Sequence, residues 1–118
     1  IDLVETERIA GLLNRFGERF EARILGREER RLLSSRVDRA AFVAGRFAAK
    51  EAAIKALGRY LQRRPAWREL TIVNDAGGMP HLRWADKWQQ PLASVEAMVS
   101  IAHERSHAIA IVMLTEKT

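Results

Sequence analysis

Four charged side chains, Arg46, Lys50, Glu51 and Lys55, are the only charges between residues 40 and 57, where most neighbours are alanines. Such a segment favours a helix. It is read as running from Ala40 to about Leu61, with Arg64-Pro65 marking its end at the latest. At 100° per residue, Val43, Phe47, Ile54 and Leu57 fall within about 80° of one another, and Lys50 lies inside that stripe. Much of the other side is small: Ala41, Gly45, Ala48, Ala49, Ala52, Ala53 and Ala56 let another backbone come close. The helix therefore has almost no face of its own for solvent, and its charges are expected to line a cleft or contact a ligand. A plainer reading competes. Glu51 and Lys55 form an i,i+4 pair worth about 0.2 to 0.5 kcal/mol on any exposed helix, and Arg46 and Lys50 can extend from an apolar face to water.

The rest of the composition narrows the chemistry. With no cysteine, the chain has no disulfide, thiol nucleophile or thiolate metal site. The three histidines, His81, His103 and His107, are not read as a zinc site, and any metal is expected to be a hard cation held by oxygen. The net charge of +5 is uneven: residues 1–40 carry +1, 41–70 carry +5, and 71–118 carry −1. The surplus lies around Arg46, Lys50, Lys55, Arg59, Arg63, Arg64 and Arg68, which points to an anionic ligand or partner.

The elements that must position these groups read as follows. Ile1 to Val4 is the end of a strand. From about Glu5, the positions Ile9, Leu12, Leu13, Phe16 and Phe20 keep the rhythm of one amphipathic helix, with Arg8, Arg15, Arg19 and Arg23 among the remaining positions. Glu28 to Ser35 is a second, short helix. After Trp67 the period falls to two. Leu70 to Val73 and Pro80 to Trp84 form a hairpin across Asn74-Asp75-Ala76-Gly77-Gly78. Val95 to Ile101 alternates as a further strand, and Ala108 to Leu114 is expected to be a more fully buried one. Helices first and antiparallel strands after predict an α+β fold, with helices packed on an antiparallel sheet. At 118 residues and 47% apolar, one domain spanning 1–118 is expected. No run of about 18 apolar residues is present to span a bilayer, and no basic-then-apolar leader. The expected location is the cytoplasm, away from any membrane.

Three segments in order carry a resemblance: Ile1-Asp2-Leu3-Val4-Glu5; Arg46-Phe47-Ala48-Ala49-Lys50-Glu51-Ala52-Ala53-Ile54-Lys55-Ala56-Leu57-Gly58; and Val99-Ser100-Ile101-Ala102-His103. Together they resemble the signatures of the holo-acyl-carrier-protein synthases, the small trimeric type of 4'-phosphopantetheinyl transferase. Asn74-Asp75 and Gly78-Met79-Pro80 fall where that family carries its glycine-basic-proline turn. The resemblance implies transfer of phosphopantetheine from coenzyme A to a serine of apo acyl carrier protein, with Mg2+ as cofactor and adenosine 3',5'-bisphosphate leaving. The nucleophile belongs to the partner, so the enzyme positions groups and neutralises charge.

By the same resemblance, Asp2 and Glu51 are the metal carboxylates, and Glu51 and Lys55 are the catalytic pair. Lys55 is placed at the diphosphate, with Lys50 as a second cation there. Arg46 and His103 match positions at the adenosine 3'-phosphate end, and Gly58 and Pro80 complete the coenzyme A set. His103 also reads as a polar strand end beside a turn. The base that takes the serine proton is either a metal-bound water or Glu51. Carrier proteins are acidic, and the family docks them on the basic helix after the first strand, which implies Arg8, with Arg15, Arg19 and Arg23 as further candidates. Those arginines also read as a solvated face interleaved with Glu7, Glu18 and Glu21. The family is a homotrimer with its sites between subunits.

The chain departs from the family pattern at Gly58-Arg59-Tyr60, at Met79 and at Glu104, and lacks the glycine that precedes Ile1's counterpart, so the first strand is expected to be shortened. Two other classes compete with this reading. One is a nucleic-acid-binding module using the basic 41–70 segment, but no aromatic is interleaved with basic residues on a strand as a stacking platform requires, and nucleic acid is not expected as a partner. The other is a scaffold that binds carrier protein without catalysis.

Overall fold

Strand β1 (Asp2–Glu5) leads directly into helix α1 (Thr6–Phe16), followed by α2 (Glu18–Ile24), α3 (Arg27–Ser34) and the long α4 (Arg39–Leu57). A single 3-10 turn, Trp67–Glu69, precedes the hairpin β2 (Leu70–Asn74) and β3 (Pro80–Trp84). The short α5 (Asp86–Gln89) then leads to β4 (Val95–His103) and β5 (His107–Glu116). This computed structural model describes residues 1–117.

The fold is α+β. One antiparallel sheet has the order β1-β5-β4, and β2 and β3 form a two-stranded sheet of their own. In the larger sheet Leu3 faces Ile109 and Ile101 faces Ala110 across β5. Helix α4 packs on this sheet because the side chains facing it are small. Ala44, Ala48, Ala49, Ala52 and Ala53 are all buried, and so are Ala108 and Ala110 of β5. Alanine on both partners brings helix and strand close enough to exclude water without long side chains to order. Around that contact, Val4, Ile9, Ile24, Leu25, Leu33 and Val43 form one apolar cluster. Leu57, Leu70, Leu92, Val95 and Val112 form a second at the other end of α4.

Three expectations are corrected. The first helix is two helices, because Gly17 adopts φ 55° and its N–H closes α1 on the Leu13 carbonyl at 2.8 Å. Helix α4 stops at Leu57, short of Leu61; the Leu61 N–H bonds back to the Leu57 carbonyl at 3.0 Å in a closing turn. Strand β5 is buried on one face only: Ala108, Ala110 and Val112 point inward, whereas Ile109, Ile111 and Met113 are exposed. The turn at 74–78 forms as expected. Gly78 takes φ 86°, and Asp75 Oδ1 accepts the Gly77 and Met79 N–H groups at 2.9 and 3.0 Å.

Candidate active site

Helix α4 carries charges on two opposite sides. Arg46 and Lys55 are nine residues apart, half a turn of phase at 100° per residue. On the Arg46 side lies a cavity of about 930 Å³ lined by Phe42, Arg46, Asn74, Pro80 and His103, among others. The guanidinium of Arg46 rests 4.0 Å from the centre of the Phe42 ring. Its Nη2 donates to the Ile72 carbonyl at 3.3 Å and to Asn74 Oδ1 at 3.1 Å. Burial lowers its pKa, opposed by the attraction of Glu29. Its Nε is buried without a hydrogen bond, 3.4 Å from Glu29 Oε2. An incompletely satisfied guanidinium at a cavity wall is suited to an anion.

His103, at the end of β4, closes the same cavity. Its Nε2 lies 3.1 Å from the Ala41 carbonyl, which only accepts, so Nε2 carries the proton and Nδ1 is left for another partner. The ring fits there because residue 45 is glycine; a Cβ at that point would lie 2.5 Å from His103 Nε2. At the cavity mouth Arg36 bonds Asp38 through two contacts of 2.7 Å, and that hydrogen bonding holds the Asp38 carboxyl below its usual range. Pro80 opens β3 on the opposite wall.

Asp2, Glu51, Lys55 and Gly58 do not line this cavity. On their side of α4, Lys55 Nζ donates to Asp2 Oδ1 at 2.9 Å and to the Ile1 carbonyl at 3.1 Å, so β1 is tied to the helix one turn beyond Glu51. Glu51 Oε2 accepts from Trp67 Nε1 at 2.8 Å and from Arg64 Nη2 at 3.0 Å. Gly58 is exposed at the end of α4, its N–H 3.2 Å from the Ile54 carbonyl.

Lys50 is not where the resemblance put it. Its side chain is wholly buried, and Nζ donates to Glu29 Oε1 at 2.6 Å and to the Ile24 carbonyl at 2.7 Å. Burial lowers its pKa, against the pull of Glu29. The expectation of Lys50 as a second diphosphate cation gives way to a structural role, because a wholly buried ammonium paired with Glu29 presents nothing to a ligand. Glu29, a residue no pattern singled out, is the hub: it also accepts the Gly26 N–H at 3.1 Å and the Ile72 N–H at 3.1 Å, joining α3, α4 and β2. In sequence it sits in the charged run Arg27 to Arg31 and reads as solvated.

Arg8 and Arg15 are exposed on α1, seven residues apart and so on one face, and Arg15 stacks over Phe16 at 5.1 Å. Arg19 and Arg23, on α2, join Arg64, Arg68 and Trp67 around a second cavity of about 720 Å³. The cations of 41–70 thus do not form one exposed stripe. Arg46 and Lys50 are buried, whereas Lys55 and Arg64 are paired with carboxylates.

The donor set fits Mg2+. Asp2 and Glu51 are hard carboxylates, and no group of three or more metal-ligating side chains occurs among the described residues. Two carboxylates leave most of an octahedral shell to water and substrate phosphate, as Mg2+ prefers. Glu51 Oε1 takes no hydrogen bond among the described residues, both donors having chosen Oε2.

Comparison with known proteins shows the family. Residues 1–112 match the 4'-phosphopantetheinyl transferase superfamily. The chain is 42% identical over 114 residues to a holo-[acyl-carrier-protein] synthase of Chlorobium chlorochromatii, covering 97% of this chain and 96% of that one. It superposes on a crystal structure of the Neisseria meningitidis holo-[acyl-carrier-protein] synthase with a TM-score of 0.87 at 31% identity, covering 98% and 94% of the two chains. The Helicobacter pylori enzyme, crystallised in complex with coenzyme A, gives 0.83 at 26%, covering 97% and 96%. The chain belongs to the holo-acyl-carrier-protein synthases of the 4'-phosphopantetheinyl transferase superfamily.

Proposed function

We propose that this enzyme transfers 4'-phosphopantetheine from coenzyme A to a serine hydroxyl of apo acyl carrier protein in a Mg2+-dependent reaction. The serine hydroxyl gives up its proton to Glu51 or to a water, its oxygen forms a bond to the β-phosphorus, the bond from that phosphorus to the bridging oxygen breaks, and adenosine 3',5'-bisphosphate leaves with that oxygen. Asp2 and Glu51 hold the Mg2+, which when bound neutralises the diphosphate. Lys55, turned from Asp2 toward the phosphates, stabilises charge on the leaving group. Arg46, His103 and Pro80 bind the adenosine 3'-phosphate end, and Gly58 lets the diphosphate approach the end of α4. The exposed arginines Arg8 and Arg15 dock the acidic carrier, with Arg19 and Arg23 beside them.

The observation that carries this reading is the division of the site around α4. Arg46 and His103 share a cavity on one side, while Glu51 and Lys55 lie on the other. One coenzyme A meets both groups when neighbouring copies each supply one of them, which supports a homotrimer with sites between subunits. The outer face of the β1-β5-β4 sheet supports the same assembly: Leu3, Met98, Ile109, Ile111 and Met113 are 37% to 68% exposed there and form an apolar patch.

Mass spectrometry of apo carrier protein, incubated with coenzyme A, Mg2+ and this enzyme, tests the reaction. A gain of one phosphopantetheine is expected, with loss of transfer on chelation, recovery with Mg2+, and near-complete loss in Glu51→Gln. Unmodified carrier protein would refute the proposal, and normal turnover by Glu51→Gln would remove that residue from the site.

A further inference from the structure

Glu51 is the one member of the site whose carboxylate is gripped by an aromatic donor. Trp67 Nε1 gives its hydrogen to Oε2 at 2.8 Å, and Arg64 gives a second to the same oxygen at 3.0 Å. The two donors differ in stiffness. The Arg64 side chain is 61% exposed, and a pairing of that kind is readily traded for water. Trp67 is partly buried, its ring 5.4 Å from that of Phe47 at an interplanar angle of 58°. It opens the 3-10 turn Trp67–Glu69, which is pinned from inside: Glu69 Oε1 accepts the Ala66 N–H at 2.8 Å, and the Glu69 N–H reaches the Ala66 carbonyl at 2.9 Å. Pro65, buried just before, restricts the turn further. The indole N–H is therefore a fixed point and the carboxylate is oriented by it.

We propose that Trp67 is a positioning residue for the metal site, holding Oε2 of Glu51 so that Oε1 is presented to the Mg2+. This rests on the assignment of Glu51 as a metal ligand. The indole has a second surface, since Trp67 also lines the arginine cavity with Arg23 and Arg64, each guanidinium 5.9 Å from its ring. A carrier protein seated on those arginines would touch the ring whose N–H sets the metal carboxylate. Donors behind a metal ligand fix its orientation, and their loss typically weakens metal binding about 10- to 100-fold.

Trp67→Phe keeps an aromatic ring against Phe47 and removes the N–H together with part of the indole. Mn2+, used as a paramagnetic probe, is titrated into enzyme with coenzyme A and no carrier, and its affinity is read from water-proton relaxation. The expected loss is about tenfold, with the thermal midpoint little changed. Affinity within about twofold of the parent, with Glu51→Gln losing Mn2+ binding, overturns the role of Trp67 alone. Undiminished Mn2+ binding by Glu51→Gln overturns the metal assignment beneath it. A second measurement needs no Trp67 variant: on Mg2+ addition with coenzyme A present, the indole N–H resonance of Trp67 should shift in the parent and stay fixed in Glu51→Gln. Trp88, whose indole bonds Glu69 at 3.2 Å, serves as internal reference. A Trp67 resonance unmoved at saturating Mg2+ in the parent also overturns the proposal.

Discussion

Lys50 and Lys55 are separated by five positions on one helix and do opposite work. Lys50 is sealed against Glu29 in the interior, whereas the Lys55 side chain is 61% exposed and touches Asp2. Removing one member of a buried pair strands the other charge, which costs about 3 to 5 kcal/mol. Lys50→Met is therefore expected to lower unfolding free energy by about that amount in denaturant titrations. The double variant Glu29→Gln/Lys50→Met should lose less than the sum of the single changes. If Lys50→Met were as stable as the parent but bound coenzyme A poorly, the cation would belong to the ligand after all. Lys55→Ala should behave in reverse. Alanine preserves helix propensity, so stability should hold, while loss of a cation at the diphosphate removes about 2 to 4 kcal/mol of transition-state stabilisation. That corresponds to a rate loss of about 30-fold to nearly 1000-fold. Transfer rate and melting temperature measured on one preparation, with the exposed Arg63→Ala as control, separate the two lysines.

At the scale of elements, α4 decides the fold and divides the site. It passes close to β4 at Gly45, where an added Cβ would meet His103 Nε2 at 2.5 Å, His103 Cε1 at 2.8 Å and Ile101 Cγ2 at 3.3 Å. Gly45→Ala should push the imidazole off the Ala41 carbonyl. The Michaelis constant for coenzyme A is expected to rise about tenfold, equivalent to ~1.4 kcal/mol, with kcat less affected; an unchanged constant would show that His103 does not bind that end. Helix α4 was legible in sequence because alanine spacing and apolar period agree, as was the β2–β3 turn, whose Asp75 and Gly78 are used as their types suggest. The break at Gly17 was not, because Phe16 and Phe20 continue the same apolar rhythm across it. Nor were the partners of the site: Glu29 lies 21 residues from Lys50, and Trp67 lies 16 from Glu51. Local periodicity carries no information about which distant side chain arrives. Spacing alone could not bring Asp2 to the lysine helix; the structure ties it there through Lys55 Nζ at 2.9 Å.

At the scale of the whole molecule, the outward row of β5 is its most conspicuous unpartnered surface. Ile109, Ile111 and Met113 alternate with the buried Ala108, Ala110 and Val112, so one strand serves two interiors if copies assemble on it. Ile111→Lys places a charge at the centre of that face and should shift sedimentation from the proposed trimer toward monomer. Transfer activity should fall with it although no residue of either half-site is touched. A parent enzyme that sediments as a monomer with full activity would refute the shared site. Charge reversal at Arg8, far from that face in role, should instead raise the Michaelis constant for carrier protein and leave that for coenzyme A nearly constant.

The half-turn between Arg46 and Lys55 on α4 also bears on heredity. When each working centre draws its two halves from different copies, a variant lacking Arg46 and a variant lacking Glu51 are each inactive alone. Unfolded together and allowed to refold in equal amounts, they would assemble at random, and about a quarter of the centres would receive an intact half from both sides. Activity would return from two dead preparations. By the same reasoning, a chain defective in one half spoils only one of the two centres it serves, so a cell carrying one sound and one such copy would keep about half of its centres, whereas a chain defective in both halves would leave about a quarter.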